Sequence, residues 1–257
     1  MLVKAKKHLG QHFLKDLKIA ERIAGIIPEG TKNVLEVGSG MGVLTQFLLQ
    51  NQNINLKAVE IDTESIEYLK KHFPQLDLIE GDFLKMNLND IFNGEKFAII
   101  GNFPYNISSQ IFFKALDNRD LVEFVGGMLQ KEVAERICAP AGNKTYGILS
   151  VFLQAYYKPS YLFGVDEHVF VPPPKVKSAV IALVRNEIQH LDCNEEFFAK
   201  IVKTAFNQRR KTMRNSLKIF DEKNNFSDEI FNLRPEQLTF SQFVELTNVI
   251  AAKAAIG

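Results

Sequence analysis

The sequence predicts an open α/β sheet carrying a small all-helical C-terminal domain, and three observations support that class. Short apolar runs alternate with amphipathic segments through the first two-thirds of the 257 residues, the pattern of strands joined by crossover helices. A glycine-rich turn follows the first of these runs, and a polar or acidic residue closes each of the next three. Beyond Arg185 only helical periodicity remains. The domains are accordingly expected at residues 1–186 and 187–257.

Taken in order, Asn33 to Val37 reads as the first strand and empties into Gly38-Ser39-Gly40-Met41-Gly42. An amphipathic helix is expected from Gly42 to Gln50, a strand from Leu56 to Ile61, and a helix from Thr63 to His72. Asp77 to Glu80 and Phe97 to Gly101 are the next strands, followed by a helix over Ser108 to Leu116, a strand over Phe124 to Gln130 and a helix over Lys131 to Cys138. Tyr161 to Val165 and Ser178 to Val184 suggest a hairpin at the sheet edge. Their link, Val171-Pro172-Pro173-Pro174-Lys175, cannot be a central strand, because proline has no N–H for the ladder.

Composition excludes several classes. No apolar stretch reaches the length of a bilayer span, and the basic N-terminus lacks a following apolar block, so neither a membrane segment nor a secretory signal is expected and the chain is read as cytoplasmic. Cys138 and Cys193 are far apart without Cys-x-x-Cys spacing and are read as structural thiols; the five histidines are scattered, so no metal site is expected. The net charge of +1 hides two biased segments. Lys4, Lys6, Lys7, Lys15 and Lys18 crowd the N-terminus against Asp16 alone, and seven cations with no acid lie between Phe197 and Phe220. Such clusters suit a local phosphate-binding surface, although a solvated helix face reads the same way.

The most informative stretch is Asn102-Phe103-Pro104-Tyr105, at the end of the apolar run from Phe97. An amine on an aromatic ring is a poor nucleophile because its lone pair is drawn into the ring. Acceptors that capture its two protons restore reactivity. The Asn102 side-chain oxygen can take one, and the carbonyl of Phe103 or Pro104, held out by the fixed proline φ, can take the other. Tyr105 offers a stacking ring, and Phe170, before the proline run, is a second aromatic candidate whose bland alternative is core packing.

The turn at Gly38, Gly40 and Gly42 lets a ligand approach the backbone. Its Gly-x-Gly-x-Gly spacing, with Glu36 two residues earlier, suits a ligand carrying an amino group and a sulfonium better than a pyrophosphate, which favours S-adenosylmethionine. Glu60 lies about 20 residues past the glycines, where an acid binds a ribose diol. Asp82 can accept from an adenine amino group, with Phe83 beside the ring, or can merely cap a turn. All these positions fall at carboxyl ends of successive strands, where open α/β sheets bind ligands.

With these motifs in place the chain resembles the small-subunit (16S) ribosomal RNA adenine N6,N6-dimethyltransferases, the KsgA family. The matching stretches include Gly10 to Leu14, Glu36 to Gly42, Glu60, Asp82, Gly101 to Ser108, Met128 to Val133, Phe170 to Val176 with Ser178, and Ala205 to Thr212, continuing through Arg214 to Leu217. Phe103 departs from the usual Leu or Ile of the family while keeping bulk and apolarity. The resemblance implies a class I, Rossmann-like methyltransferase fold with a mostly parallel seven-stranded sheet. It implies S-adenosylmethionine held by His12, Leu14, Gly38, Glu60, Asp82 and Asn102, together with Gln11, Glu36, Gly40, Ile61 and Phe83. Asn102, Pro104, Tyr105 and Phe170 would serve the chemistry, and Lys6, Lys7, Lys203, Arg209, Arg210, Lys211 and Arg214 the RNA. Two neighbouring adenosines near the 3′ end of small-subunit rRNA in a pre-30S particle would each receive two methyl groups, releasing S-adenosylhomocysteine, with the enzyme a monomer. The competing readings are a large-subunit rRNA dimethyltransferase of the antibiotic-resistance type, a non-catalytic RNA-binding or transcription factor, and a DNA adenine methyltransferase.

Overall fold

A computed structural model of the chain describes residues 3–220 and 228–254; residues 1–2, 221–227 and 255–257 of the two expected domains lie outside the described residues. In chain order the elements are β1 (Phe13–Leu14), α1 (Leu17–Ala24), β2 (Asn33–Val37), α2 (Thr45–Leu48), β3 (Asn55–Glu60), α3 (Thr63–His72), β4 (Asp77–Glu80), β5 (Phe97–Asn102), α4 (Ser108–Asp117), β6 (Val122–Gln130) and α5 (Lys131–Cys138). There follow α6 (Ile148–Tyr156), β7 (Tyr157–Val165), β8 (Phe170–Val171), β9 (Ser178–Arg185), α7 (Glu195–Asn207), α8 (Met213–Ser216) and α9 (Phe240–Ala254).

The main sheet has seven strands in the order β4-β3-β2-β5-β6-β9-β7. Strands β4, β3, β2, β5 and β6 are parallel, and β9 runs antiparallel to β6 with Gly126 opposite Ala182. All five residues of β2 are buried, which is why its run reads apolar without alternation. Strand order reverses between β2, which continues to β3, and its other neighbour β5. That reversal opens a crevice beyond the carboxyl ends of both strands. Strands β9 and β7 do lie side by side at the expected sheet edge, with β7 outermost, but β7 begins at Tyr157 and not Tyr161. Strand β5 extends to Asn102, so this residue is gripped by the sheet and not left in the turn, with its Cα opposite Met128 of β6.

Two helices escaped the sequence reading. Helix α1 is capped by Asp16, whose Oδ1 accepts from Lys18 N at 3.0 Å and Ile19 N at 3.2 Å, and it buries Ala20 and Ile23. Helix α6 buries seven of its nine residues, so it lacks the polar stripe that betrays an amphipathic helix. The expected helix over Gly42 to Gln50 contracts to one turn, Thr45–Leu48, between hydrogen-bonded turns.

Chain contacts divide the protein into two compact units. The first comprises residues 1–134 and 158–185, and the second residues 135–157 and 186–257. The second unit therefore takes in α6, 30 or more residues before the expected boundary at 186. Within it α6, α7 and α9 pack on one another, with Phe152 edge-on to Phe198 at 5.9 Å and Phe206 against Phe243 at 6.0 Å. Asn194 caps α7 through Phe197 N at 2.9 Å, and Glu195 and Glu196 place negative charge at the helix N-terminus.

Candidate active site

The carboxyl ends of β2, β3, β4 and β5 and the N-terminal segment surround one cavity of about 270 Å³ in the first unit. Its lining includes Gln11, His12 and Leu14 from that segment, Glu36, Gly38 and Gly40 from the end of β2, and Glu60 and Ile61 from the end of β3. Asp82 and Phe83 follow β4, and Asn102, Pro104 and Tyr105 complete the wall. Phe170 is absent from it. Its ring is 1% exposed and packs in the core beside Val169, with its backbone paired to Leu14. The expected stacking role is thereby corrected to core packing, since a ring closed off from solvent has no face to offer a base.

Asn102 supplies the sharpest geometry. Its Nδ2 donates to the His12 carbonyl at 3.2 Å, and because a carbonyl can only accept, the amide orientation is fixed. The side-chain oxygen is thereby left as an acceptor without a partner among the described residues. Of the two candidate carbonyls, that of Pro104 already accepts from Ile107 N at 3.2 Å. The Pro104 carbonyl keeps one lone pair, and the Phe103 carbonyl, with no such turn bond, is the less engaged of the two acceptors. Phe103 is 1% exposed and its ring packs edge-on against Phe112 at 5.7 Å, so the departure at this position adds bulk to the core at a residue that also lines the cavity. Tyr105 places its ring on His12, 5.4 Å between centroids and 30° between planes, and its hydroxyl bonds to Ser178 Oγ. Burial raises the phenol pKa, so the Tyr105 hydroxyl stays protonated.

The three carboxylates differ in setting. Glu36, 2% exposed, accepts from Thr45 Oγ1 at 2.6 Å, and burial pushes its pKa up to about 7. Glu60 is 5% exposed and burial also raises its pKa. Its Oε1 accepts from Ile61 N and Asp62 N at 2.9 Å each, and its Oε2 from Gly40 N at 2.8 Å. Both lone pairs of Oε1 are thus engaged by backbone N–H groups, and Oε2 retains one for a ribose hydroxyl. Asp82 caps the turn after β4 through Leu84 N at 3.0 Å, and its other oxygen lies 3.8 Å from Lys85 Nζ. The capping alternative is thus present, and it takes one oxygen and leaves the other available to a ligand. Lys114 of α4, which the sequence reading missed, steadies this turn by donating to the carbonyls of Leu84 at 2.9 Å and Met86 at 2.6 Å.

These residues fit an adenosine carrying an amino acid tail. Ile61, half exposed, gives an apolar face beside the Glu60 carboxylate. Gly38 and Gly40 take φ of +76° and +54°, and a Cβ on Gly40 would lie 3.1 Å from the Phe13 ring, so the cradle requires residues without side chains. Among the described residues no group of three or more His, Cys, Asp or Glu could hold a metal, and no helix is long and apolar enough to cross a membrane.

The basic residues separate into two kinds. Lys7, Lys203, Arg210 and Lys211 are exposed. Lys6 instead pairs with buried Asp62 and with Glu64 at 3.3 Å, which corrects its expected role as a free phosphate contact. Arg209 turns into its own unit, donating to the Lys144 carbonyl at 2.5 Å with Nε 3.8 Å from Glu236, and Arg214 donates to Asn232 Oδ1 at 3.3 Å. Lys144 and Arg234, outside both sequence clusters, meet Arg209 around a polar cleft in the second unit. Only chain folding brings them together, so no local run could have singled them out.

Comparison with known proteins agrees with this geometry. A family model described as ribosomal RNA adenine dimethylase matches residues 2–251. The chain is 60% identical over 256 residues to ribosomal RNA small subunit methyltransferase A of Phocaeicola vulgatus, covering 98% of this chain and 91% of that protein. It is 59% identical to the protein of the same name from Cytophaga hutchinsonii, covering 98% and 99%. Among solved structures it resembles a dimethyladenosine transferase from Plasmodium falciparum, with TM-score 0.74, 26% identity and coverage of 93% and 98%. It also resembles the 23S rRNA methyltransferase ErmE, with TM-score 0.67, 26% identity and coverage of 92% and 99%. The fold is that of the class I S-adenosylmethionine-dependent methyltransferases. A match along almost the whole chain, over residues 2–251, together with relatives at 60% and 59% identity, places this chain in the ribosomal RNA adenine dimethylase family.

Proposed function

We propose that this chain is an S-adenosylmethionine-dependent rRNA adenine N6,N6-dimethyltransferase that modifies two adjacent adenosines near the 3′ end of small-subunit rRNA. The observation that carries the chemistry is the Asn102 amide, whose nitrogen is engaged by the His12 carbonyl so that its oxygen is left to accept. The small-subunit substrate rests on the relatives named for it at 60% and 59% identity, against 26% for the large-subunit enzyme. The finer assignments are that it acts on a pre-30S particle, in the cytoplasm, as a monomer and without a metal.

Bound in the cavity, S-adenosylmethionine supplies an electrophilic methyl carbon. The protein's part is placement. Asn102 Oδ1 and the Phe103 carbonyl accept the two N6 protons, which turns the amine's lone pair toward the methyl group, while Tyr105 supports the ring. Holding reactants in line contributes on the order of 7–11 kcal/mol, more than any one hydrogen bond in the site. Once N6 carries positive charge its proton is readily lost, so no strong base is required. A paired base must first leave its stack, at a cost of a few kcal/mol that stacking on an aromatic ring offsets. Labelled-methyl transfer to purified small subunits, large subunits and DNA tests the reading, with label expected in small-subunit adenosine alone. Asn102→Ala should lower kcat by at least about 100-fold with RNA binding retained; label in DNA or large subunits, or full turnover by Asn102→Ala, would refute it.

A further inference from the structure

Asp62 stands two residues beyond Glu60 at the start of α3, yet its side chain does not cap that helix. It is 2% exposed and does not line the cavity. A buried carboxylate costs free energy unless it is paired and hydrogen-bonded, and the partners of Asp62 come mainly from the N-terminal segment. Its Oδ1 receives Lys6 Nζ, while its Oδ2 accepts from Gln11 Nε2 at 3.2 Å and from Ser65 Oγ at 2.9 Å. Gln11 Oε1 in turn accepts from Lys6 N at 2.8 Å, which closes residues 6–11 into a loop held at both ends.

That loop is fitted against the catalytic turn. Gly10 takes φ +65°, and a Cβ there would lie 2.5 Å from Asn106 Oδ1. Asn106 Nδ2 donates to the His8 carbonyl at 3.3 Å. Beyond the loop, Phe13 and Leu14 pair with β8, and between these two attachments the His12 carbonyl accepts from Asn102 Nδ2. The segment therefore acts as a strap whose position sets the one contact that orients the Asn102 amide.

We propose that Asp62 is a positioning residue for methyl transfer, anchoring Lys6 and Gln11 so that the strap presents the His12 carbonyl to Asn102 and leaves the Asn102 oxygen facing the substrate amine. The proposal rests on the reading of Asn102 given above. Release of the anchor frees the amide to rotate and also loosens Gln11, His12 and Leu14 along the cavity wall, so turnover and cofactor affinity fall together.

The experiment compares Asp62→Ala, Asp62→Asn and Lys6→Met in the full chain. It reads kcat at saturating S-adenosylmethionine with small subunits, KM for the subunit, S-adenosylhomocysteine affinity by calorimetry, and the thermal midpoint. Asp62→Ala is expected to lower kcat about tenfold or more, in line with the cost of small misplacements near reacting atoms, and to weaken S-adenosylhomocysteine binding. Asp62→Asn, which keeps the shape, should fall between it and the unsubstituted protein. Lys6→Met, at the surface, should move both readouts the same way with KM for the subunit unchanged, and it decides the matter if Asp62→Ala fails to fold. Unchanged kcat in the variants, whatever happens to the midpoint or to cofactor affinity, overturns the link to Asn102. Absence of methyl transfer by the unsubstituted protein would instead overturn the proposed function, leaving the S-adenosylhomocysteine affinities to test the strap by themselves.

Discussion

Asn102 and Phe170 show how far a residue type in a motif determines its role. Asn102 is legible because an amide at the end of an apolar run has few core uses, and the structure leaves its oxygen as an acceptor. Phe170 sits in an equally recognisable motif, but an aromatic ring serves a core as readily as a base, and only the 1% exposure decides between them. Phe170→Leu should therefore retain kcat within a few fold, whereas Phe170→Ala should cost about 3–5 kcal/mol of stability in denaturant titrations, the usual penalty for emptying a buried aromatic site. A large loss of kcat in a fully folded Phe170→Leu would restore the stacking role. Glu36 gives a pH signature. Its folded pKa of about 7 lies above the ordinary carboxylate value because burial penalises the charge. Between roughly pH 4.5 and 7 the native chain thus holds a proton that the unfolded chain has released, so stability falls as pH rises through that window. The loss for this residue is on the order of 3 kcal/mol. Glu36→Gln, which keeps the Thr45 contact, should flatten that part of the unfolding free energy against pH; an unaltered slope would show that Glu36 is ionised throughout.

At the scale of elements, strands were easier to read than helices. The buried run of β2 and the acid or amide ending β3 and β5 announce themselves, because a parallel strand is apolar on both faces and its carboxyl end is where polar groups reappear. Helix α6 was illegible for the opposite reason, being apolar nearly all round. Helix α1 did carry a signal, Asp16 ahead of apolar residues at helical spacing, but it lay inside a segment dominated by lysines that drew attention as a charge cluster. The strap was not legible at all, since Lys6, Gln11 and Asp62 meet only across the fold. Because Asp16 satisfies two N–H groups of α1 and this helix places Ile23 in the cavity wall, Asp16→Ala should destabilise the protein by about 1 kcal/mol. A shift in the urea midpoint at constant slope would register it, and no shift would mean that water replaces the cap at no cost.

For the whole molecule, the division into two units departs from the linear boundary because residues 135–157 join the C-terminal helices through contacts made over long sequence distance. Hydropathy along a chain reports local period and is blind to such returns. Charge behaves similarly. A net charge of +1 gives no long-range attraction for a polyanion, so RNA affinity must come from local patches whose cations are free to meet phosphates. Lys203, Arg210 and Lys211 meet that condition by exposure, whereas Arg209 is engaged with the Lys144 carbonyl and Glu236. Each phosphate contact releases counterions and adds roughly 0.7–0.9 to the slope of log affinity against log salt. Replacing Lys203, Arg210 and Lys211 with Glu should accordingly reduce that slope by about 2–3 and weaken binding to small subunits. The kcat for subunits that still bind should hold, because none of the three lines the methyl-transfer cavity. Arg209→Gln should behave differently, lowering thermal stability through its lost contacts with little change in slope. Equal slopes for the triple variant and the unsubstituted protein would remove this face from the RNA interface and shift attention to the exposed Lys7 beside the strap.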